Sequence, residues 1–80
     1  MYRWVNPEKR RYYNAYLDRD LFGHWVLTKA WGGINSHRGH VRKVCVASRE
    51  AGLQAIQALN KRRKKRGYCA VAGPELARVH

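Results

Sequence analysis

The sequence predicts an α+β fold in which a twisted antiparallel sheet of about four to five strands packs against one C-terminal α-helix. Two observations support this prediction: segments of alternating apolar and aromatic residues fill the first half of the chain, and a segment of helical spacing follows them. With 80 residues, of which 45% are apolar, the chain has room for one such two-layer domain. We expect the domain to span residues 1–71 and a mobile tail to follow over residues 72–80.

The strand patterns begin at the first residues. Tyr2 and Trp4 suggest a short strand, which a turn at residues 6–8 ends. Residues 12–17 form the first clear strand, with three residues spaced two apart on one face. Asp18-Arg19-Asp20 is expected to break this strand, and Gly23 to permit a hairpin. The face of the strand is formed by Tyr13, Ala15 and Leu17.

The next two strands are expected to form a second hairpin. Residues 24–31 place Trp25, Leu27, Lys29 and Trp31 on one face. Residues 32–39 form a loop whose glycines permit positive φ, and residues 40–46 return as an antiparallel strand. The pattern does not decide which face of this last strand points inward, because apolar residues occur on both faces. These residues are Val41 with Cys45 on one face, and Val44 with Val46 on the other.

One helix is predicted from Arg49 to Lys65, with Ser48 as its N-cap and Glu50 in the first turn to complement the dipole. Gly67 is the expected C′ residue, and Tyr68 is expected to fold back on the last turn before a short terminal strand ending at residue 71. The predicted apolar stripe follows one spacing. It comprises Ala51, Ala55, Leu59 and Arg62, with Ile56 and Ala58 beside them.

Charge is the strongest global signal. Lys and Arg number 17 against 5 Asp and Glu, giving a net charge of +12. So many like charges repel one another in the folded chain, and an acidic partner relieves that repulsion. Nucleic acid is the first candidate partner and an anionic membrane surface the second. A surface that is merely rich in lysine is the simpler alternative.

Six consecutive cations occupy residues 61–66, in less than two helical turns. One or two of them are explained by the helix dipole alone. The others suit phosphate contact, which is salt-dependent and indifferent to base sequence, although a solvated helix end or a targeting signal also fits the pattern. On a helix these cations surround the axis, so some must face the sheet or snorkel past it. The six are Lys61, Arg62, Arg63, Lys64, Lys65 and Arg66.

Trp31 precedes the glycine loop and is a candidate for stacking on a nucleic-acid base, since every base has a π-face. A purely structural role in the core is about as well supported. Further cations on the same strands and loop are predicted to contact phosphate. They are Lys29, Arg38, Arg42 and Lys43.

Catalysis and metal binding find little support in the sequence. The close pair Asp18 and Asp20 is explained by a turn, and the chain contains neither a phosphate-binding glycine loop nor a nucleophile elbow. The histidines and cysteines follow no paired zinc-ligand spacing, so we expect no metal and no cofactor. Cys45 lies in an apolar series and is expected to pack, and both cysteines are expected to be free thiols in a reducing cytoplasm.

These residues together resemble the WGR domain, a module of poly(ADP-ribose) polymerases and of many small bacterial proteins. The resemblance runs from about Asn6 to Tyr68 and rests on the order and spacing of several short pieces. They are Asn6-Pro7-Glu8-Lys9, Tyr12-Tyr13, Asp20-Leu21-Phe22-Gly23, Trp25, Leu27, Trp31-Gly32, Gly39, Ser48 with Ala51, and Arg66-Gly67-Tyr68.

The resemblance implies a twisted antiparallel sheet with one helix, and a DNA-binding role in which the family's Trp, here Trp31, stacks at a DNA end. Gly33 stands where the family has its motif Arg, so the contact that depends on this Arg is lost. Arg38 in the same loop is a conjectural substitute. The polymerase domain is missing from these 80 residues, so they are not expected to transfer ADP-ribose.

The leading hypothesis is therefore a stand-alone nucleic-acid-binding module without enzymatic activity. We expect its partner to be DNA, contacted at the backbone and ends without sequence specificity, with no small-molecule substrate and no membrane. The alternative is a protein–protein interaction adaptor that uses the exposed strand edges of a small sheet. Peripheral membrane binding is less favoured, because the basic segment lacks interleaved apolar residues.

Overall fold

The computed structural model describes residues 1–36 and 38–72. Four strands precede a single helix, and a fifth strand follows it. The elements are β1 (Tyr2–Asn6), β2 (Arg11–Arg19), β3 (Trp25–Gly33), β4 (Gly39–Val46), α1 (Arg49–Lys65) and β5 (Cys69–Ala72). The strands form one antiparallel sheet in the order β4-β3-β2-β1-β5, which confirms the predicted α+β class. The domain boundary after residue 71 stays a prediction, and residues 73–80 lie outside the described part.

The core lies between the sheet and one face of α1. Tyr13, Ala15 and Leu17 face the helix, as the spacing of two predicted. On β3 the face of Trp25, Leu27, Lys29 and Trp31 turns the same way, because these residues pair in register with the inward residues of β2. The buried cluster combines both layers. It comprises Trp4, Tyr13, Ala15, Leu27, Ile56 and Leu59.

The register of β4 settles its orientation. Val44 pairs with Leu27 and Val46 with Trp25, so these two valines lie on the helix side. Cys45 pairs with Val26 on the opposite side, which the helix does not cover, and is exposed. The prediction that Cys45 packs in the core was therefore wrong. An apolar series cannot reveal that its strand lies at a sheet edge with one open face.

The helix has the predicted bounds and caps. Ser48 is the N-cap, and its Oγ accepts a hydrogen bond from the Ala51 amide at 3.1 Å. Gly67 adopts a φ of +87°, a left-handed conformation that favours glycine at this position. Tyr68 folds back as predicted, since its amide donates to the carbonyl of Arg63 at 2.9 Å.

The buried stripe of α1 differs from the predicted one by about one residue. Gly52, Ile56 and Leu59 are buried, whereas Ala58 and Arg62 are exposed. Gly52 lies beneath Leu17, and a Cβ on it would collide with the Leu17 side chain. The sequence pattern did not place a glycine in the stripe, because only close approach of the sheet gives this glycine its role.

Two polar side chains tie β1 to the end of α1. Asn6 is buried, and its Nδ2 donates to the carbonyl of Arg66 at 3.1 Å while its Oδ1 accepts from the Lys9 amide at 3.1 Å. The indole Nε1 of Trp4 donates to Oδ1 of Asn60 at 2.9 Å. These bonds satisfy polar groups that burial would otherwise leave unpaired, and they hold the basic end of the helix over β1.

The predicted turns and loop need three corrections. β2 continues through Asp18 and Arg19, so the break comes at Asp20. Gly32 and Gly33 belong to β3 rather than to a loop. Among the described residues of the connection to β4, Asn35 adopts the left-handed conformation, with φ of +64°, and none of the predicted glycines does. Asn tolerates this conformation better than most residues do.

Candidate nucleic-acid interface

A row of aromatic rings crosses the helix side of the sheet. Tyr13 pairs in register with Trp4 on one side and with Trp31 on the other, and Trp31 pairs with His40. The ring centroids of Trp4 and Tyr13 are 6.1 Å apart, those of Tyr13 and Trp31 are 5.7 Å apart, and those of Trp31 and His40 are 5.6 Å apart. The last two pairs are nearly parallel. The row therefore runs from the buried Trp4 to the exposed His40 at the sheet edge.

Two of the predicted cations lie beside this row. Lys29 and Arg42 are register partners on β3 and β4. Each is two residues from a member of the Trp31–His40 pair, so all four side chains share the helix side of the sheet, with neighbours along a strand about 6.8 Å apart. This set of four, Lys29, Trp31, His40 and Arg42, is called here the β3–β4 platform. It combines cations with rings on one surface.

Arg63 connects the basic end of α1 to the aromatic row. Its guanidinium carbon lies 4.7 Å from the centroid of the Tyr13 ring and 5.2 Å from that of Tyr68. Its Nε is buried and has no hydrogen-bond partner among the described residues. The cation is therefore held by two aromatic faces. This confirms that part of the basic run faces the sheet.

The other five members of the run are exposed: Lys61, Arg62, Lys64, Lys65 and Arg66. Within residues 1–36 and 38–72, the contact between a carboxylate and a basic side chain joins Asp20 to His24, with 3.5 Å between Oδ2 and Nδ1, in the β2–β3 turn. In the described part of the chain, the cations of the helix end have no carboxylate partner. Their charge is thus available to a phosphate.

The electrostatics at Tyr13 reflect the same arrangement. Burial raises the pKa of the Tyr13 phenol, while the nearby positive charges of Arg63 and Arg62 oppose that rise. Both arginines therefore act on the ring that stacks against Trp31. The helix end and the β3–β4 platform consequently meet at Tyr13.

The two glycines after Trp31 differ in the space around them, and the second stands where the WGR motif has its Arg. A Cβ on Gly32 would lie 2.9 Å from the carbonyl oxygen of Arg38, so no side chain fits there. A Cβ on Gly33 would meet Cβ of Ser36 at 3.4 Å, an ordinary contact. Position 33 thus has room for the family's Arg. The register partner of Gly33 is Arg11, which places a guanidinium-bearing residue next to the vacant motif position.

Of the two remaining predicted site residues on this hairpin, one lies on the opposite side of the sheet and the other lies just before β4. Lys43 pairs with Thr28 on the side of the sheet away from the helix, where both line a shallow open depression with Asp18 and Cys45. Arg38 is exposed just before β4, and its amide donates to Oγ of Ser36 at 3.1 Å. The structure therefore brings Trp31, Lys29 and Arg42 together and separates Lys43 from them.

Sequence reasoning missed His40 and Arg11 as members of this surface. His40 was visible within the third predicted strand, but the two valine sets of that strand left its inward face undetermined. Arg11 precedes the first predicted clear strand by one residue, so its pairing was outside the pattern. Register across the sheet is the information that assigns both residues to a face.

Among residues 1–36 and 38–72, no group of three His, Cys, Asp or Glu side chains is placed to hold a metal ion. His37, one of the histidines considered as a ligand, lies outside the described residues. In the same part of the chain, no helix combines the length and apolar character needed to cross a bilayer.

Comparison with protein-family models matches the WGR domain over residues 3–74. No match was found among curated proteins or among solved structures. The WGR domain is a binding module rather than a catalytic one, and in poly(ADP-ribose) polymerases it binds nucleic acid. The match covers nearly the whole chain and includes all four residues of the platform. This protein therefore belongs to the WGR domain family.

Proposed function

We propose that this protein is a DNA-binding module that contacts the phosphate backbone and ends without sequence specificity and catalyses no reaction. The observation that carries the proposal is the joining of two basic surfaces by one aromatic row. The β3–β4 platform lies at one end of the row, and Arg63 over Tyr13 brings the helix end to its middle. Cations interleaved with aromatic rings suit phosphates and unpaired bases together.

Phosphate contacts fall to exposed cations on the side of the sheet that the helix covers. They include Arg42 and the five exposed residues of the helix end, and the half-buried Lys29 adds its charge beside them. A DNA strand that bends around the β4 edge also contacts Arg38, and Lys43 on the side of the sheet away from the helix. Arg63 is held by its two tyrosines and acts by fixing the helix end. In this proposal Trp31 belongs to the surface that meets a terminal base or sugar.

The vacant motif position adds a component to the proposal. Two arginines are candidates to replace the motif Arg that Gly33 lacks. Arg11 lies on β2 as the register partner of Gly33, and Arg38 lies just before β4. We propose that Arg11 supplies the polar contact for which the family uses its motif Arg, because it is the arginine whose strand pairs with Gly33.

Fluorescence-anisotropy titrations with blunt, nicked and single-stranded DNA at two salt concentrations test the proposal. With about five phosphates contacted, log K is expected to fall against log salt with a slope of about −4.5. Trp31→Ala is expected to weaken binding to ends more than binding to uninterrupted duplex. Affinity that does not change with salt contradicts the phosphate mechanism.

A protein-interaction role is the second candidate, because two exposed features favour it. β4 is an edge strand whose outer hydrogen-bonding groups face no other strand of the described sheet. At the β2–β3 turn, the side chains of Leu21 and Phe22 are 100% and 84% exposed. A pull-down that returns one stoichiometric protein after nuclease treatment, without DNA affinity in the purified chain, supports this candidate instead.

We also propose a cytoplasmic location. Cys45 and Cys69 are both free and exposed, a state that a reducing compartment maintains. Labelling of both thiols in intact cells without prior reduction, read by mass spectrometry, is the expected result. A mixed disulfide at either position in most molecules contradicts this proposal.

A further inference from the structure

The faces of the Trp31 ring are already occupied. Tyr13 and His40 belong to the strands on either side of β3, and their rings lie at 11° and 23° to the plane of Trp31. Trp31 is thus flanked on both sides by near-parallel rings. The side chain as a whole is half-buried and packs against the core.

The gap beside Trp31 is too narrow for a base. A base inserted between two rings needs about 3.4 Å on each side, the rise between stacked bases, and so about 7 Å between the ring planes. The Trp31 and His40 centroids are 5.6 Å apart, and the distance between their planes cannot exceed that value. Stacking on Trp31 therefore requires His40 to move away first.

His40 has the open ring face of this row. It lies on β4, which is the last strand at that edge of the sheet, and its side chain is exposed. Trp31 supports one face of the imidazole, while no strand of the described sheet lies beyond the other. Arg42 follows two residues along the same side of the strand, and Arg38 precedes by two. A cation thus stands on each side of the ring in sequence.

We propose that His40 is the residue on which an unpaired or terminal nucleobase stacks, with Trp31 as the positioning residue that holds the imidazole from behind. The proposal rests on the proposed DNA-binding function and assigns its stacking contact. Arg42 and Arg38 bind the phosphates on either side of the stacked nucleotide. The row continues through Tyr13 to Trp4, so the platform is anchored in the core.

The test uses the full chain and a duplex with a short single-stranded overhang that carries 2-aminopurine at its first unpaired position. Binding of wild type is expected to quench the 2-aminopurine. His40→Ala is expected to abolish the quenching and to weaken overhang binding by about 5- to 150-fold, the range for loss of one base–aromatic stack. His40→Phe retains a ring and is expected to keep the quenching and to bind within about threefold of wild type.

Two control variants separate stacking from general effects. Tyr16→Ala removes an exposed ring from the opposite side of the sheet and is expected to change neither readout. Trp31→Phe retains a supporting ring behind His40 and is expected to keep the quenching. Circular dichroism and thermal melts establish that each variant is folded.

The outcomes distinguish this proposal from the function on which it rests. The role of His40 is overturned if His40→Ala still binds DNA in a salt-dependent way with normal quenching, while Trp31→Phe loses the quenching. That result leaves the proposed DNA binding intact. Loss of quenching in both His40→Ala and His40→Phe also overturns stacking, because a ring alone then does not suffice. No binding by wild type to any DNA at low salt overturns the proposed function and this inference together.

Discussion

At the scale of single residues, Gly32 and Gly33 are adjacent but have different reasons to be glycine. The backbone of Arg38 and Gly39 lies within 2.9 Å and 3.2 Å of a Cβ on Gly32, whereas Gly33 faces open space apart from Ser36 and Arg10. Neither glycine has a positive φ. Gly32 is therefore required by close approach of two strands, and Gly33 is replaceable.

Gly32→Ala is expected to destabilise the protein by about 1–3 kcal/mol, the usual cost of forcing a methyl group into a packed site. Gly33→Ala is the matched control. It is expected to leave stability unchanged or to raise it by up to about 1 kcal/mol, because alanine reduces the entropy of the unfolded chain. Urea unfolding of both variants measures the difference. Equal loss of stability in the two contradicts this distinction.

Gly33→Arg restores the family motif at a position with room for it. We expect the variant to fold as wild type does and to bind DNA more tightly, with the slope of log K against log salt steeper by about 1, since about one more phosphate is neutralised. Anisotropy titrations at several salt concentrations provide the slope. Gly33→Gln, of similar length but without charge, is expected to leave it unchanged.

At the scale of elements, the helix is attached to the sheet partly by a cation. Periodicity predicted the helix bounds, its cap and the antiparallel β3–β4 hairpin, because these depend on neighbours in sequence. It did not predict that Arg63, rather than Arg62, faces the sheet. That choice follows from which face of α1 packs on the sheet: this face places Gly52 against Leu17, and Arg63 against the rings of Tyr13 and Tyr68.

Arg63→Ala is expected to lower the free energy of unfolding by about 1–2 kcal/mol, because a cation over two partly buried rings is lost. Lys64→Ala removes the same charge from the exposed neighbour and is expected to change stability by less than about 0.5 kcal/mol. Arg63→Met retains the apolar stem and is expected to lie between them. Chemical unfolding at constant ionic strength measures all three. An Arg63→Ala protein whose free energy of unfolding equals that of wild type contradicts the anchoring role.

The β2–β3 turn is expected to depend on pH through Asp20. The amides of His24 and Phe22 donate to its Oδ1 at 2.8 Å and 2.9 Å. The hydrogen bond from the His24 amide is the largest cause that holds the pKa of Asp20 below its ordinary value of 3.8. The carboxylate therefore stabilises the fold above that value, and its contribution disappears as the pH falls through the lowered pKa.

Thermal melts between pH 6 and pH 2 test this dependence. Below about pH 4, the melting temperature of wild type is expected to fall more than that of Asp20→Asn. Asparagine keeps an acceptor oxygen but has no charge to lose. Parallel curves for the two proteins contradict the assignment to Asp20.

At the scale of the whole molecule, the net charge of +12 opposes folding and favours binding. Composition predicted this property from the sequence alone, and the resemblance predicted the family. The assembly of the platform was not predictable, because Trp31, His40, Lys29 and Arg42 share a surface only through the register of β3 with β4. A shift of one residue would place His40 on the opposite face.

Raising NaCl from about 10 mM to 200 mM is expected to increase the melting temperature, since salt screens the repulsion among like charges. A short DNA duplex at low salt is expected to increase it further, because a ligand that binds only the folded state stabilises it. Scanning calorimetry measures both shifts. A melting temperature that falls with salt means that repulsion does not limit stability.

The pairing of β5 with β1 has a consequence for the order in which the chain folds during synthesis. Arg3 pairs with Ala72, so the strand made first is flanked by the strand made last. The β1–β2 and β2–β3 hairpins and α1 are local and form early, whereas pairing across nearly the whole chain requires the largest loop to close. Until Cys69–Ala72 leaves the ribosome, β1 itself forms an edge of the sheet, in the place that the short strand β5 takes in the complete fold.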